Sequence, residues 1–64
     1  MKLYEIPEGS KIKIDEGIIT FHHIDGMYSY CTFDDGLTED SVVHLSANLP
    51  LKKVGDYYEI NDKT

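Results

Sequence analysis

The sequence has 64 residues, with twelve aspartates and glutamates against six lysines and a net charge of −6. It contains no arginine, the residue whose planar fork best grips phosphates and base edges. We therefore expect neither direct nucleic-acid binding by phosphate neutralisation nor association with acidic membranes. A chain of this length forms one small domain, and a ligand pocket of ordinary size would occupy most of its core.

The cysteine content and the first residues bear on the cellular compartment. Cys31 is the single cysteine, so the chain can form no internal disulfide and offers no cysteine pair to a metal. The opening residues, MKLYEIPEGSK, lack the apolar core of a signal peptide, and no stretch approaches about 18 apolar residues. These features predict a protein of a reducing cytoplasm.

Glycines recur at short intervals and separate segments rich in Ile, Val, Tyr, Phe and Thr, which is typical of hairpin-linked strands. No window keeps helical spacing for three turns. A first strand is predicted over 2–6. KIKID at 11–15 alternates between apolar and polar positions, and Glu16-Gly17 turns the chain into IITFHH at 18–23.

The next segment, MYSYCTF at 27–33, follows the turn signal Asp25-Gly26. Its predicted core face carries Met27, Ser29, Cys31 and Phe33. Tyr28 and Tyr30 lie on the opposite face, which is either a contact surface or a second buried face of a tightly curled strand. A strand that is apolar on both faces indicates a partner, self-association or a fully wrapped barrel.

The second half of the chain is more broken. A polar loop is predicted from Asp34 to Asp40, and a strand resumes at SVVHL, 41–45. Within 46–51 the pattern predicts a single helical or 3-10 turn. A last strand is predicted over 53–60, followed by a frayed tail at 61–64.

This order of elements resembles that of Src-homology-3-like (SH3-like) barrels over nearly the whole chain. It predicts one all-β domain at 1–60, a small five- to six-stranded SH3-like barrel with one short 3-10 turn before the last strand. The ALYDY-type segment and paired tryptophans of the peptide-binding family are missing, so proline-rich recognition is not implied. The run HIDGMYSYC with VHLSANLPL is also similar to small uncharacterised proteins of tailed bacteriophages, which implies the host cytoplasm.

The sequence contains no pattern that predicts a metal site. His22 and His23 are adjacent, and adjacent strand residues point to opposite faces, so both could reach one ion only through a bulge. The loop DDGLTED lacks the alternating ligand order of a calcium loop and is interpreted as a solvated turn. No bound metal and no cofactor are expected.

No catalytic motif is visible either. Cys31 lies on the predicted core face, where thiols are inert, and no glycine elbow frames a serine. We therefore predict a non-catalytic interaction protein that binds a host or viral protein through an acidic, tyrosine-bearing surface. The residues assigned to that surface are Tyr28, Tyr30, His44, Tyr57, Asp34, Asp35, Glu39 and Asp40.

Two other functions stay open. The first is an oligomer that holds a small metabolite or signalling nucleotide between subunits, where tyrosines stack on a base and lysines meet its phosphates. The second is a structural module of a larger particle. A homo-oligomer is compatible with the leading prediction and with the first alternative. In both, a second molecule can cover the second apolar face of 27–33.

Overall fold

The computed structural model describes residues 1–34 and 42–61, and these form an all-β fold with one short 3-10 helix, Leu3–Glu5. The strands are β1 (Lys11–Ile14), β2 (Gly17–Asp25), β3 (Tyr28–Phe33), β4 (Val42–Val43), β5 (Leu51–Val54) and β6 (Tyr57–Ile60). They make one mixed sheet in the order β4-β3-β2-β1-β6-β5. Neighbouring strands are antiparallel except β1 and β6, which run parallel.

The sheet is open, with β4 and β5 as its two edges, so the described residues do not show the predicted barrel closure. The strand predicted over 41–45 is reduced to Val42–Val43, while position 41 lies outside the described residues. Beyond Val43 the chain is held to β3 partly by a side chain, because the Leu45 N–H donates to Ser29 Oγ at 3.2 Å.

The first two predicted hairpins are confirmed, but each turn lies one residue away from the predicted pair. Ile14 pairs with Gly17 across Asp15-Glu16 instead of a turn at Glu16-Gly17, and Asp25 pairs with Tyr28 across Gly26-Met27 instead of a turn at Asp25-Gly26. Gly26 has a φ of 67°, which favours glycine. Met27 was predicted on the core face and is instead 76% exposed, because it lies in the turn and not in the strand.

The strand predicted over 2–6 is wrong, because these residues contain the 3-10 helix. The Glu5 N–H donates to the Lys2 carbonyl at 2.9 Å, and the Glu5 carboxylate accepts from the Lys2 N–H at 2.6 Å. Residues three apart lie on one side of such a helix, so Leu3 and Ile6 both reach the core. The 3-10 helix therefore lies at the start of the fold, and not directly before the last strand, where it was predicted.

The single strand predicted over 53–60 is also wrong. Gly55-Asp56 forms a tight turn between β5 and β6, with Gly55 at a φ of 61°. Before β5 the chain makes one hydrogen-bonded turn in which the Leu49 N–H donates to the Ser46 carbonyl at 3.0 Å. This turn lies where a helical turn was predicted, but it does not continue into a helix.

One face of the curved sheet and the 3-10 helix enclose the core. The core side chains are Leu3, Ile6, Ile12, Ile19, Phe21, Cys31, Leu51 and Tyr58. The alternation predicted for β1 and β3 is confirmed at Ile12 and Cys31, which are fully buried, and Ile19 of β2 is fully buried beside them. We call the opposite side of the sheet, which faces solvent, the outer face.

Candidate functional site

A β-bulge in β2 brings both adjacent histidines to the outer face. Phe21 pairs with Cys31 and His23 pairs with Tyr30, so His22 has no partner residue in the ladder. The bulge cancels the alternation of side chains at this point. His22 and His23 are therefore both exposed on the side that carries Tyr30.

Tyr30 lies at the centre of a group of aromatic rings. The His23 imidazole stacks on its phenol ring with centroids 5.3 Å apart and an interplanar angle of 4°. His22 and His44 approach edge-on, with centroids 5.5 Å and 5.9 Å from that of Tyr30. We name these four residues the Tyr30 cluster; it contains all three histidines of the protein.

Hydrogen bonds fix two of these imidazoles. His44 Nδ1 donates to the Ser29 carbonyl at 3.0 Å, and His22 Nε2 shares a hydrogen bond of 2.7 Å with Thr32 Oγ1. Tyr30 itself is half-buried between the rings. The cluster is therefore a set of oriented rings, and little side-chain freedom remains to be lost when another molecule contacts it.

Tyr28 extends this surface toward the β2–β3 turn, where Met27 is exposed. Tyr28 is two residues before Tyr30 and shares its face, and its side chain is 56% exposed. The interpretation of Tyr28 and Tyr30 as a buried second face is therefore wrong for this fold. Asp25 pairs with Tyr28 on the same face and adds a carboxylate to it.

The other residues assigned to the surface do not join the Tyr30 cluster. Tyr57 is in β6, which β1 and β2 separate from β3, and its ring lies 5.6 Å from the Lys13 Nζ. Asp34 directly follows β3 and forms an ion pair with Lys11. Asp35, Glu39 and Asp40 lie outside the described residues.

Sequence reasoning omitted His22 and His23 from the surface. The signal that could have indicated them is that they are adjacent. Two polar residues in succession interrupt the alternation of a strand, and such an interruption is compatible with a bulge. Nothing in the sequence indicates which residue of β3 they would face.

Asp34 belongs to a separate polar network on the outer face. Lys11 Nζ donates to Asp34 Oδ1 and to Thr20 Oγ1, each at 2.7 Å, and the Thr20 hydroxyl donates to Asp34 Oδ1 at 2.6 Å. These contacts join β1, β2 and the end of β3. The Lys11 and Thr20 hydrogen bonds lower the pKa of Asp34 from its ordinary value of 3.8.

Replacing Asp34 with asparagine is expected to lower the free energy of unfolding by less than about 1 kcal/mol, because the pair is half-exposed and screened by solvent. The folded pKa is lowered, so the stabilisation is complete above pH 3.8 and is lost as the pH falls through that lower value. Urea unfolding of both proteins at several pH values tests this. A difference that persists in strong acid would contradict it.

Comparison with known proteins finds no relative. No protein-family model, no curated protein and no solved structure matches the chain. In the part of the chain that the structure describes, no helix is long and apolar enough to cross a membrane.

The described residues also offer little to metal or thiol chemistry. Across 1–34 and 42–61, no three or more His, Cys, Asp and Glu side chains are placed to bind a metal ion. Cys31 is fully buried, its Sγ lies 3.4 Å from Ser29 Oγ, and burial raises the pKa of its thiol. A buried thiol with a raised pKa is a poor nucleophile.

We expect Cys31 in the folded protein to resist iodoacetamide under mildly alkaline conditions that alkylate an unfolded thiol within minutes. Burial both blocks the sulfur and disfavours its thiolate. Mass spectrometry after timed quenching measures the modified fraction, and the same protein in concentrated urea is the control. Equal rates in both conditions would show that the thiol is accessible.

Proposed function

We propose that this protein is a non-catalytic interaction module that binds a protein partner through the outer face of β2 and β3. The contact surface consists of the Tyr30 cluster together with Met27, Tyr28 and Asp25. The observation that carries the proposal is the packing of three imidazoles around one tyrosine beside two large exposed side chains.

Tyr4 and Ile18 are also exposed, but within residues 1–34 and 42–61 neither belongs to a group of packed aromatic rings. Single exposed apolar side chains are ordinary on protein surfaces. Tyrosine and histidine rings held in fixed positions are different, because they offer broad contact area with polar edges at a low cost in conformational entropy. Tyrosine and methionine side chains are enriched where proteins meet.

Charge favours a basic partner. The chain carries a net charge of −6 and no arginine, and Asp25 lies beside Tyr28 on the surface itself. Opposite charge speeds association and selects against acidic partners. A basic protein, including one that itself binds nucleic acid, meets this requirement. An SH3-like domain and a cytoplasmic location, in the host if a bacteriophage encodes the protein, remain part of this proposal.

The nucleotide-binding alternative receives less support from the contacts. Two of the lysines that could meet phosphates already have partners, since Lys11 contacts Asp34 and Lys53 Nζ lies 5.2 Å from the Tyr58 ring. Each of these lysines would have to leave its partner to bind a phosphate. We therefore propose the protein-binding module as the function.

Tyr28→Ser and Met27→Ser are expected to reduce capture of a specific partner about tenfold or more, because truncating exposed anchors of a small interface removes much of its binding energy. Immobilised protein would be incubated with extract of the cells that make it, and the captured proteins quantified by mass spectrometry. Each variant should keep its stability within about 0.5 kcal/mol, since both side chains are exposed.

Tyr4→Ser is the matched control, because Tyr4 is 54% exposed against 56% for Tyr28 but lies in the 3-10 helix. The proposal requires a protein that the unaltered chain and Tyr4→Ser both capture, and that Tyr28→Ser loses. Undiminished capture by Tyr28→Ser and Met27→Ser would contradict it.

A further inference from the structure

A groove opens on the side of the molecule where the sheet fails to close. It has a volume of about 750 Å³ and lies between the ends of β1 and β6 on one side and β3, β4 and Leu45 on the other. These strands are not all neighbours in the sheet, and its curvature brings them around one opening. Pockets of about 300–1,000 Å³ are typical of ligand sites.

The floor of the groove is apolar. Its side chains are Ile14, Phe33, Val43, Leu45 and Ile60. All five pack against the core on one side but are only partly buried, so part of their apolar surface stays in contact with water. Burying that surface under a second molecule is favourable by roughly 25 cal/mol for each Å² covered.

The rim of the groove is predominantly acidic. Among the described residues, Asp15, Glu16 and Glu59 line it with Lys13, which gives three carboxylates and one ammonium group. The Lys13 Nζ lies 5.6 Å from the centre of the Tyr57 ring and makes a cation–π contact with it. An anionic occupant such as a nucleotide or a fatty acid would meet repulsion here, whereas a cationic one would meet attraction.

A second copy of the chain is poorly suited to this groove. Both copies would carry a net charge of −6, and the acidic rim would face an acidic protein. A segment of another protein that combines apolar side chains with lysine or arginine matches both the floor and the rim.

We propose that this groove is a second binding site, which takes a short segment of a partner protein with two or more apolar side chains flanked by lysine or arginine. The apolar side chains contact Val43, Leu45 and Ile60, and the basic side chains face Asp15, Glu16 and Glu59. The site is separate from the Tyr30 cluster, which is on the outer face of the sheet, so either site can exist without the other.

The probe for this site is a short, blocked peptide of alternating leucine and lysine, titrated into isotope-labelled protein by NMR. We expect saturable shifts of the amide signals of Ile14, Val43 and Ile60, with binding that weakens as salt is added. Two control peptides replace lysine by glutamate or leucine by serine. Each should bind at least about tenfold more weakly, because each removes one half of the complementarity.

Two variants locate the binding. Glu16→Lys changes an exposed rim residue in the β1–β2 turn and should weaken binding of the leucine–lysine peptide several-fold without unfolding the protein. Leu45→Ser removes apolar floor and should weaken it about tenfold. Tyr28→Ser is the matched control and should bind the peptide as tightly as the unaltered chain. Such a result distinguishes the groove from the surface around the Tyr30 cluster.

Several outcomes would overturn the proposal. No saturable binding, equal affinity for the glutamate peptide, or shifts confined to Tyr28 and Tyr30 would each exclude a basic, apolar ligand in the groove. Sedimentation of the unaltered chain as a dimer that Leu45→Ser converts to a monomer would identify a second copy as the occupant instead.

Discussion

Replacing Phe21 with alanine is expected to leave most of the protein unfolded at room temperature. Phe21 is one of the largest fully buried side chains, and it lies in β2, the longest strand of the sheet. Removing a buried phenylalanine side chain costs about 3–5 kcal/mol in transfer and cavity terms. A core of this size rarely supplies more than about 3–5 kcal/mol of stability in total.

Circular dichroism and urea unfolding of Phe21→Ala measure this effect. Ile18→Ala is the matched control, because Ile18 is in the same strand but exposed, and its truncation should cost less than about 1 kcal/mol. The Phe21 variant should also expose Cys31 to alkylation. A cooperative transition with a loss below about 1 kcal/mol would mean that Phe21 does not organise the core.

Replacing Ser29 with alanine is expected to cost about 1–3 kcal/mol, the penalty for leaving a hydrogen-bonding group unpaired in the interior. Ser29 is fully buried, its Oγ accepts from the Leu45 N–H, and the same hydroxyl donates to the Leu45 carbonyl at 3.0 Å. In the variant the Leu45 carbonyl still accepts a hydrogen bond of 2.7 Å from the Ser29 N–H of the unaltered backbone. The Leu45 N–H is therefore the group that loses its partner.

Urea unfolding of Ser29→Ala tests this directly, and hydrogen exchange at the Leu45 amide should quicken. Ser46→Ala is the control, because Ser46 is exposed and its Oγ accepts only one described bond, from the Asn48 N–H at 3.3 Å. Ser46→Ala should lower the free energy of unfolding by about 0.5 kcal/mol. Equal stability of the Ser29 variant and the unaltered chain would show that the hydroxyl is not needed to hold β3 to Leu45.

Predictions from alternation succeeded where the pattern was local. In 11–15 and the strand part of 27–33 the faces were predicted from alternation, and Ile12 and Cys31 do face the core. The segment 18–23 was predicted as a strand and lies within β2. A turn at Gly26 was also predictable, because glycine readily adopts the positive φ that a tight hairpin needs. These features depend only on neighbours in the chain.

Two errors had a signal that the alternation concealed. Leu3 and Ile6 are three residues apart, which is helical spacing, but Tyr4 between them made the segment similar to a strand. Gly55-Asp56 is a recognised hairpin signal inside a run rich in Val, Tyr and Ile. In both places a short local signal was more informative than strand propensity. Residue spacing indicated the 3-10 helix, and Gly-Asp indicated the turn, because a glycine turn restricts the backbone angles more strongly than strand propensity does.

Composition and a period of two were enough to predict the all-β class, the charge and the placement of Tyr28 and Tyr30 on the face opposite Cys31. The exposure of that face, and the bulge at His22 that gathers three histidines around Tyr30, could be seen only in the folded protein. The tertiary structure also decided that parallel pairing of β1 with β6 in a curved, open sheet leaves an apolar groove with an acidic rim. The physical reason is that register and curvature arise from contacts between strands far apart in the chain, and no local pattern encodes which strands will meet.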